Sequence, residues 1–160
     1  MITIRALRRD DRLPIKQILL ETGNFTSVEI EVALELIDIY LDRPEQKDYI
    51  LYCAVDQHDR VAGYVCYGPT PMTEGTWDLY WIAVDPKRQG SGVGKALLDF
   101  VENRIRAQNA RLLMIETSSK PNYNATRQFY FRQNYQEIAR IPDFYAVGDD
   151  RVIYRKLLRD

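Results

Sequence analysis

The chain has 160 residues, of which 46% are hydrophobic and 28% charged. This composition excludes a disordered or collagen-like chain and predicts a domain with its own core. The 22 basic and 23 acidic residues give a net charge of -1, so the basic excess that nucleic-acid binding requires is missing. No apolar run approaches the ~20 residues that cross a bilayer. The residues from Met1 to Arg5 lack the features of a secretion signal. The two cysteines, Cys53 and Cys66, fit a reducing compartment. We therefore expect one soluble, cytoplasmic domain over residues 1–160, without nucleic-acid or membrane partners.

The first elements predicted along the chain are a strand and a helix. The residues Ile2 to Leu7 form a short apolar-leaning segment that is typical of an edge strand. Asp10 or Asp11 could cap the helix that follows, which carries Pro14 in its first turn. Gly23 lies just past the predicted end of this helix.

A second helix and a hairpin follow. Apolar residues recur at the three-and-four spacing of one helix face from Ile30 to Leu41, and Pro44 ends the pattern. Two apolar runs, Tyr49 to Val55 and Val61 to Tyr67, are separated by a short polar loop. This arrangement favours a β-hairpin.

The middle of the chain predicts a strand–helix–strand unit. A strand over Trp77 to Val84 is followed by glycines, then by a helix whose apolar face runs from Val93 to Ile105. A buried strand, Leu112 to Ile115, comes next. Such a unit is typical of parallel strand pairing.

The last quarter predicts one helix and two strands. The helix contains Tyr130 and closes at Asn134, a residue type that tolerates the left-handed conformation of helix ends. The strands lie near residues 136–141 and 151–157, and residues 142–150 would join them. The order of elements predicts one mixed α/β domain.

The segment Val84 to Lys95 carries the strongest functional signal. A strand ends there, a glycine-rich loop follows and a helix begins, so that free amides and the helix dipole can bind an anion. A P-loop would need Gly at position 89 and a hydroxyl residue at 96, where Gln and Ala stand. Lys95 and Leu97 likewise break the two possible dinucleotide-binding patterns.

The pattern Gln89-x-x-Gly92-x-Gly94 after a strand resembles the acetyl-CoA motif of the GCN5-related N-acetyltransferase superfamily. The segment from Asn122 to Tyr135 resembles the later motif of that family, in which a helix carries a Phe-Tyr pair. The resemblance covers essentially the whole chain. It implies an α/β (α+β) fold with a mixed central sheet of six to seven strands flanked by about four helices.

The resemblance also implies where acetyl-CoA, the expected co-substrate, would bind. The backbone of Ile82, Ala83 and Val84 would pair with the pantetheine arm, and one of these amides would hold the oxyanion. No metal is expected. The loop that would take the pyrophosphate consists of Gln89, Gly90, Ser91, Gly92, Val93, Gly94 and Lys95.

Tyr130 matches the tyrosine that family members use as the general acid toward the departing thiolate. A phenol with a pKa near ~10 is protonated at neutral pH and can donate to a thiolate. The alternative is a core aromatic residue whose hydroxyl is satisfied by the protein. The family often has Asn seven residues earlier, where this chain has Tyr123, so that Asn124 or Asn122 would have to bind the CoA arm.

An amine must lose a proton before it can attack a thioester, and some family members supply a strand carboxylate for this step. The matching residue is Asp78. Strict strand alternation would put Asp78, Tyr80, Ile82 and Val84 on one face. Asp78 would then need a local bulge or a water relay to serve a donor at Ile82. The alternative is a solvated carboxylate near a strand end.

Four further residues are candidates for binding the acceptor: Glu21, Tyr80, Phe144 and Tyr145. In this family the connection between the last two strands often covers the acceptor site, which would place Phe144 and Tyr145 there. Other acids that could bind a cationic substrate are Glu74, Glu116 and Asp143.

The sequence therefore predicts an acetyl-CoA-dependent N-acetyltransferase that acts through a ternary complex on a primary amine, of a small molecule or of a peptide or protein. The alternative is a non-catalytic acyl-CoA-binding sensor or partner module on the same fold. The resemblance to the family also allows a homodimer. The single histidine, His58, offers neither catalysis nor a metal site.

Overall fold

The computed structural model describes residues 1–159 and contains seven strands and four helices longer than one turn. The strands are β1 (Thr3–Ala6), β2 (Ile50–Val55), β3 (Val61–Pro69), β4 (Thr76–Val84), β5 (Leu112–Ser118), β6 (Gln136–Ala146) and β7 (Asp149–Leu157). The helices are α1 (Arg12–Thr22), α2 (Ser27–Asp42), α3 (Val93–Arg106) and α4 (Asn124–Arg132).

All seven strands form one sheet in the order β1-β2-β3-β4-β5-β7-β6. The pairing of β4 with β5 is parallel, whereas the other neighbours are antiparallel. The predicted mixed sheet with four flanking helices is thus confirmed, as is the strand–helix–strand unit. No helix among the described residues is long and apolar enough to cross a membrane.

The sheet opens between its two parallel strands. β4 pairs with β5 only over Thr76–Leu79 and Leu112–Ile115. Beyond this point β4 continues along β3 as far as Val84, and β5 continues along β7 as far as Ser118. We call the opening between residues 80–84 and residues 116–118 the gap.

Two apolar clusters cover the two faces of the sheet. The α3 cluster lies under α3 and α4 and includes Leu79, Leu97 and Tyr130. The α1 cluster lies under α1 and α2 and includes Ile15, Ile37 and Ala83. Since burial of a large aliphatic side chain stabilises a fold by about 1.5–3 kcal/mol, the two clusters hold the walls of the gap in place.

The helix ends follow local chemistry. α2 begins with a capping box, in which Thr26 Oγ1 accepts from the Glu29 amide at 3.2 Å and Glu29 Oε1 accepts from the Thr26 amide at 3.0 Å. The predicted Asn134 end of the α4 segment is confirmed by its φ of 68°. Asp11 does not cap α1 with its side chain, because that carboxylate instead binds the Arg5 guanidinium at 2.8 and 3.0 Å.

The end of β6 differs from the prediction. Residues 142–145 were expected in a connecting loop, but β6 extends to Ala146 and turns into β7 through Val147 and Gly148. Four residues of β6 there oppose one residue of β7, which makes a wide bulge between Ile141 and Ala146. The prediction missed this end because the bulge depends on the register between β6 and β7, which the pattern of one strand does not reveal.

Candidate active site

The wall of the gap on β4 presents unpaired backbone groups. The Asp85 amide donates to the Ala62 carbonyl of the neighbouring β3 side at 2.8 Å. Because backbone groups of successive strand residues point to opposite edges, the amides of Ile82 and Val84 point into the gap, whereas that of Ala83 points toward β3. Two of the three backbone positions expected to bind a ligand therefore face the gap. The third, Ala83, has its side chain buried in the α1 cluster.

A bulge in β4 changes which side chains share a face. Tyr67 lies opposite Leu79 and Cys66 opposite Trp81, so Tyr80 has no partner on β3. As a result Leu79 belongs to the same cluster as Ile82, while Trp81 lies with the α1 cluster. The strict alternation expected for this strand is therefore wrong, and the correction is a one-residue bulge of the kind that re-aims side chains near functional sites.

The bulge places Asp78 and Tyr80 on the α1 side of the sheet. Asp78 Oδ2 accepts from the Thr70 hydroxyl at 2.6 Å, at a position where β4 is still paired with β5. The Tyr80 ring contacts Tyr49 edge-on at 5.5 Å, and burial raises the pKa of its hydroxyl to about 12. Asp78 is thus anchored before the strands part, and Tyr80 lies at the parting point.

The glycine-rich loop has the form of an anion site. Gly90 and Gly92 have φ values of 78° and 89°, and a Cβ at either would meet no atom within 4 Å. Gly92 is the N-cap of the fourteen-residue helix α3, and no side chain caps its first amides. These amides, backed by the helix dipole, are free to bind an anion.

The side chains of this loop have other partners. Val93 is buried in the α3 cluster, so only its amide is available. Lys95 donates to Asp99 one turn along α3 at 2.5 Å, and Ser91 donates its hydroxyl to the Arg88 carbonyl. Gly94 is where α3 comes close to α4, since a Cβ there would lie 3.3 Å from the Phe129 ring.

Tyr130 is 4% exposed and lies among Phe129, Tyr135 and Tyr154. Its hydroxyl makes no hydrogen bond within residues 1–159. Unlike the Tyr64 hydroxyl, which is sealed from solvent, the Tyr130 hydroxyl retains some exposure. Burial raises the pKa of the Tyr130 hydroxyl, which stays protonated at neutral pH. The structure thus does not support the alternative of a core hydroxyl satisfied by the protein.

The segment before α4 contacts the loop between α1 and α2. The Tyr123 hydroxyl donates to the Asn24 carbonyl at 3.0 Å, and Asn122 Nδ2 reaches Asn24 Oδ1 at 3.4 Å. Asn124 is exposed at the start of α4. The contact joins segments 99 residues apart, so no local sequence signal could have identified it.

A cluster of side chains lies beside the gap on β5, β6 and β7, and we call it the aromatic patch. Glu116, the first β5 residue past the last paired one, forms an ion pair with Arg151. The Arg151 guanidinium lies 4.9 Å from the Phe144 ring centre, and Phe144 packs edge-on against Tyr145 at 5.1 Å. Burial and the charge of Glu116 raise the pKa of Tyr145 to about 12.

The structure brings Phe144 and Tyr145 together with Glu116, which the sequence analysis did not distinguish from the other acidic candidates. Phe144 and Tyr145 are 50% and 47% exposed. Glu21 is not part of the patch, since it lies exposed on α1 and accepts only from Gln17 Nε2 at 3.0 Å. No group of three or more His, Cys, Asp or Glu side chains within residues 1–159 is arranged to hold a metal ion.

Comparison with known proteins gives consistent results. Residues 15–135 match the model of the acetyltransferase (GNAT) family. An uncharacterized N-acetyltransferase of Methanocaldococcus jannaschii, MJ1530, is 29% identical over 98 residues, which are 61% of this chain. The match spans only 60% of that relative's length.

Solved structures extend the likeness to the whole chain. A candidate acetyltransferase of the GNAT family from Desulfovibrio desulfuricans is 43% identical, with a TM-score of 0.94 over 99% of this chain and 100% of that one. An aminoglycoside 6'-N-acetyltransferase complexed with coenzyme A has a TM-score of 0.76 over 99% of this chain and 98% of that one. At 17% identity the second likeness concerns the fold alone.

Proposed function

The chain belongs to the acetyltransferase (GNAT) family, and from that premise we propose that it is an acetyl-CoA-dependent N-acetyltransferase acting directly on a primary amine in a ternary complex. The observation that carries the proposal is the arrangement around the gap. Free strand amides line one wall, an uncapped helix start lies at its end, and an unpartnered buried phenol lies on the neighbouring helix.

The residues present fit acetyl-CoA as co-substrate. The open space at Gly90 and Gly92 would let the backbone approach a pyrophosphate closely. The gap-facing backbone of Ile82 and Val84 could pair with the amides of a pantetheine arm, as a neighbouring strand would. A relative of the same fold carries coenzyme A. Acetyl-CoA would supply the activated acyl group.

The backbone would stabilise the reaction as charge develops. An amide of Ile82 or Val84 would donate to the thioester oxygen as it becomes an oxyanion, an effect that often dominates catalysis. Tyr130 would donate its proton to the departing sulfur. Burial keeps Tyr130 protonated until the sulfur departs, and it also disfavours a charged thiolate there, which raises the proton affinity of the sulfur.

A carboxylate on the α1 side would take the proton of the amine. Both candidates have a partner, Arg151 for Glu116 and Thr70 for Asp78, but Glu116 lies where the strands part, whereas Asp78 lies where they are still paired. We therefore assign the role to Glu116, directly or through a water, and retain Asp78 as the second candidate. Phe144, Tyr145 and Tyr80 would then bind the body of the acceptor.

The sensor alternative requires binding without turnover. Nothing in a sensor would call for a phenol hydroxyl that is buried, protonated and free of protein partners, as that of Tyr130 is. This observation favours the enzyme.

The proposal also includes the domain organisation, the cellular location and the partners of the protein. We infer a single domain over residues 1–160 and a cytoplasmic location, which suits the two buried free thiols. The balanced charge argues against a nucleic-acid partner.

A homodimer through β6 is part of the proposal. β6 is an edge strand exposed along its whole length, and it carries Ile138, Ile141 and Phe144. Unpaired edges of this kind readily pair with another chain. Light scattering at micromolar protein would show twice the 18.8 kDa chain mass, and a monomer at all concentrations would contradict the dimer.

Thermal unfolding with separate ligands tests the central claim. Ligand at ~100 times its Kd adds about 2.7 kcal/mol, and each kcal/mol raises the midpoint of such a domain by roughly 2–4 °C. We expect a shift of several degrees with acetyl-CoA and CoA and none with NAD. Amine-dependent release of CoA thiol would then identify the acceptor. The absence of any shift at millimolar CoA would refute the transferase and the sensor together.

A further inference from the structure

We propose that Asp56 is a positioning residue for the glycine-rich loop, acting through Arg88, and that this contact sets the affinity for the phosphate part of the acyl donor. Asp56 is the first residue after β2, in the turn toward β3. The inference rests on the proposed function, because it names a further determinant of the same site.

The Asp56 carboxylate is held rigidly by its own turn. Its Oδ1 accepts from the amides of His58 and Arg60 at 2.8 and 3.0 Å. Its Oδ2 accepts from the Arg60 Nε at 2.9 Å and from the Arg88 guanidinium at 2.6 Å. The side chain of Asp56 is only 7% exposed, so the pair with Arg88 is little screened by solvent.

Arg88 lies at the base of the glycine-rich loop. Its amide donates to the Asp85 carbonyl at 2.8 Å, and its own carbonyl accepts from both the amide and the hydroxyl of Ser91. A displacement of Arg88 would therefore move the start of the loop through Ser91. Charge-assisted hydrogen bonds are shorter and stronger than neutral ones, which suits a fixing role.

A cavity of about 700 Å³ lies between the start of α1 and the residues just before the glycine-rich loop, and its lining includes Pro14, Asp85, Lys87 and Arg88. Gly90 and Gly92 contribute no side chain and are conformationally permissive. Because Arg88 borders this open space, its hydrogen bond to Asp56 is the side-chain contact that fixes the guanidinium there.

A fixed loop binds its ligand more tightly because less conformational freedom is lost on binding. The contact joins positions 32 residues apart, so it depends on the β2–β3 hairpin being in place. The hairpin, which lies outside the gap, thereby contributes to donor binding.

Two variants and one matched control test the inference. Asp56→Asn removes the charge, and Arg88→Gln removes the other partner while leaving the bonds of Asp56 within its turn. Asp59→Asn is the control, since Asp59 lies in the same turn but binds Arg5 and Arg8. Calorimetric titration with CoA should show a Kd raised about tenfold in both variants, as expected for the loss of a charged hydrogen bond, and unchanged in the control.

Hydrogen exchange in the free proteins separates positioning from general damage. Amides of residues 89–94 should exchange faster in Asp56→Asn and Arg88→Gln, while those of β2 and β3 stay protected in Arg88→Gln. Unchanged CoA affinity in both variants, or an equal loss in Asp59→Asn, would overturn the inference alone. A wild-type protein that binds no CoA would overturn the proposed function and this inference with it.

Discussion

The two sides of the gap offer different chemical groups to a ligand: backbone amides on one side and side chains on the other. The side formed by β4 and the glycine-rich loop offers backbone amides, whose positions depend on strand pairing and on two left-handed glycines. The aromatic patch on the opposite side offers the side chains of Glu116, Phe144 and Tyr145. A backbone site tolerates many sequences, whereas a side-chain site changes with each substitution.

The difference between the two sides matches the difference between the two proposed substrates. The donor is proposed to be the same molecule in every reaction, and a backbone site recognises its phosphates and amides without depending on side chains. The acceptor must be recognised by shape and charge, which side chains supply. Tyr130 lies on α4, where it packs against Tyr154 of β7, and is proposed to serve the step that joins the two substrates.

The substitution Tyr130→Phe should have the largest effect. It removes the proposed proton donor while keeping the ring among Phe129 and Tyr154, so we expect kcat to fall by about 10²-fold or more. The Kd for CoA should stay nearly unchanged. Since burial raises the pKa of Tyr130, wild-type kcat should show no alkaline decline from this group up to pH ~10. An unchanged kcat in the variant would show that another group donates the proton.

The substitution Gly92→Val should weaken binding of the acyl donor. A β-branched residue at a φ of 89° is strained by about 1–3 kcal/mol, and relief of this strain would move the loop. We expect the Kd for CoA, measured by titration, to rise at least tenfold. Gly148→Val is the matched control, because Gly148 has a φ of 82° in the β6–β7 turn. Its CoA affinity should equal that of wild type, and an equal loss in both would indicate a general effect of strain.

The substitution Glu116→Gln tests the acceptor side. It removes the carboxylate proposed as the base and frees Arg151, so we expect kcat/KM for the amine to fall at least tenfold through loss of general-base catalysis. The KM for acetyl-CoA should not change. Asp78→Asn provides the comparison in steady-state assays, and a larger loss there than in Glu116→Gln would reverse our assignment of the base.

The substitution Tyr123→Phe should have the smallest effect. It removes the bond to the Asn24 carbonyl, which is worth about 1 kcal/mol, and it loosens the loop between α1 and α2. We expect the KM for the amine to rise a few-fold while kcat changes little. A rise in the KM for acetyl-CoA instead would show that Tyr123 contacts the donor, as the family asparagine does.

The accuracy of the sequence-based predictions follows the range of the interactions involved. The glycine-rich loop, the apolar face of α3 and the end at Asn134 were predicted because each depends on neighbours within a few residues. The faces of β4 were not, because the bulge at Tyr80 arises from its pairing with β3. The length of β6 was underestimated for the same reason, since its register depends on β7.

The sequence by itself predicted the order of strands and helices and an anion-binding loop at residues 89–95, because periodicity, glycine conformation and helix ends are local properties. The candidate proton donor Tyr130 came from the resemblance to the family. Only the tertiary structure decided which strand amides face the gap and which carboxylate lies beside it. It alone joined Asp56 to Arg88 and Tyr123 to Asn24. Such contacts form between segments that are distant in the chain, and their geometry depends on how the whole sheet packs against its helices.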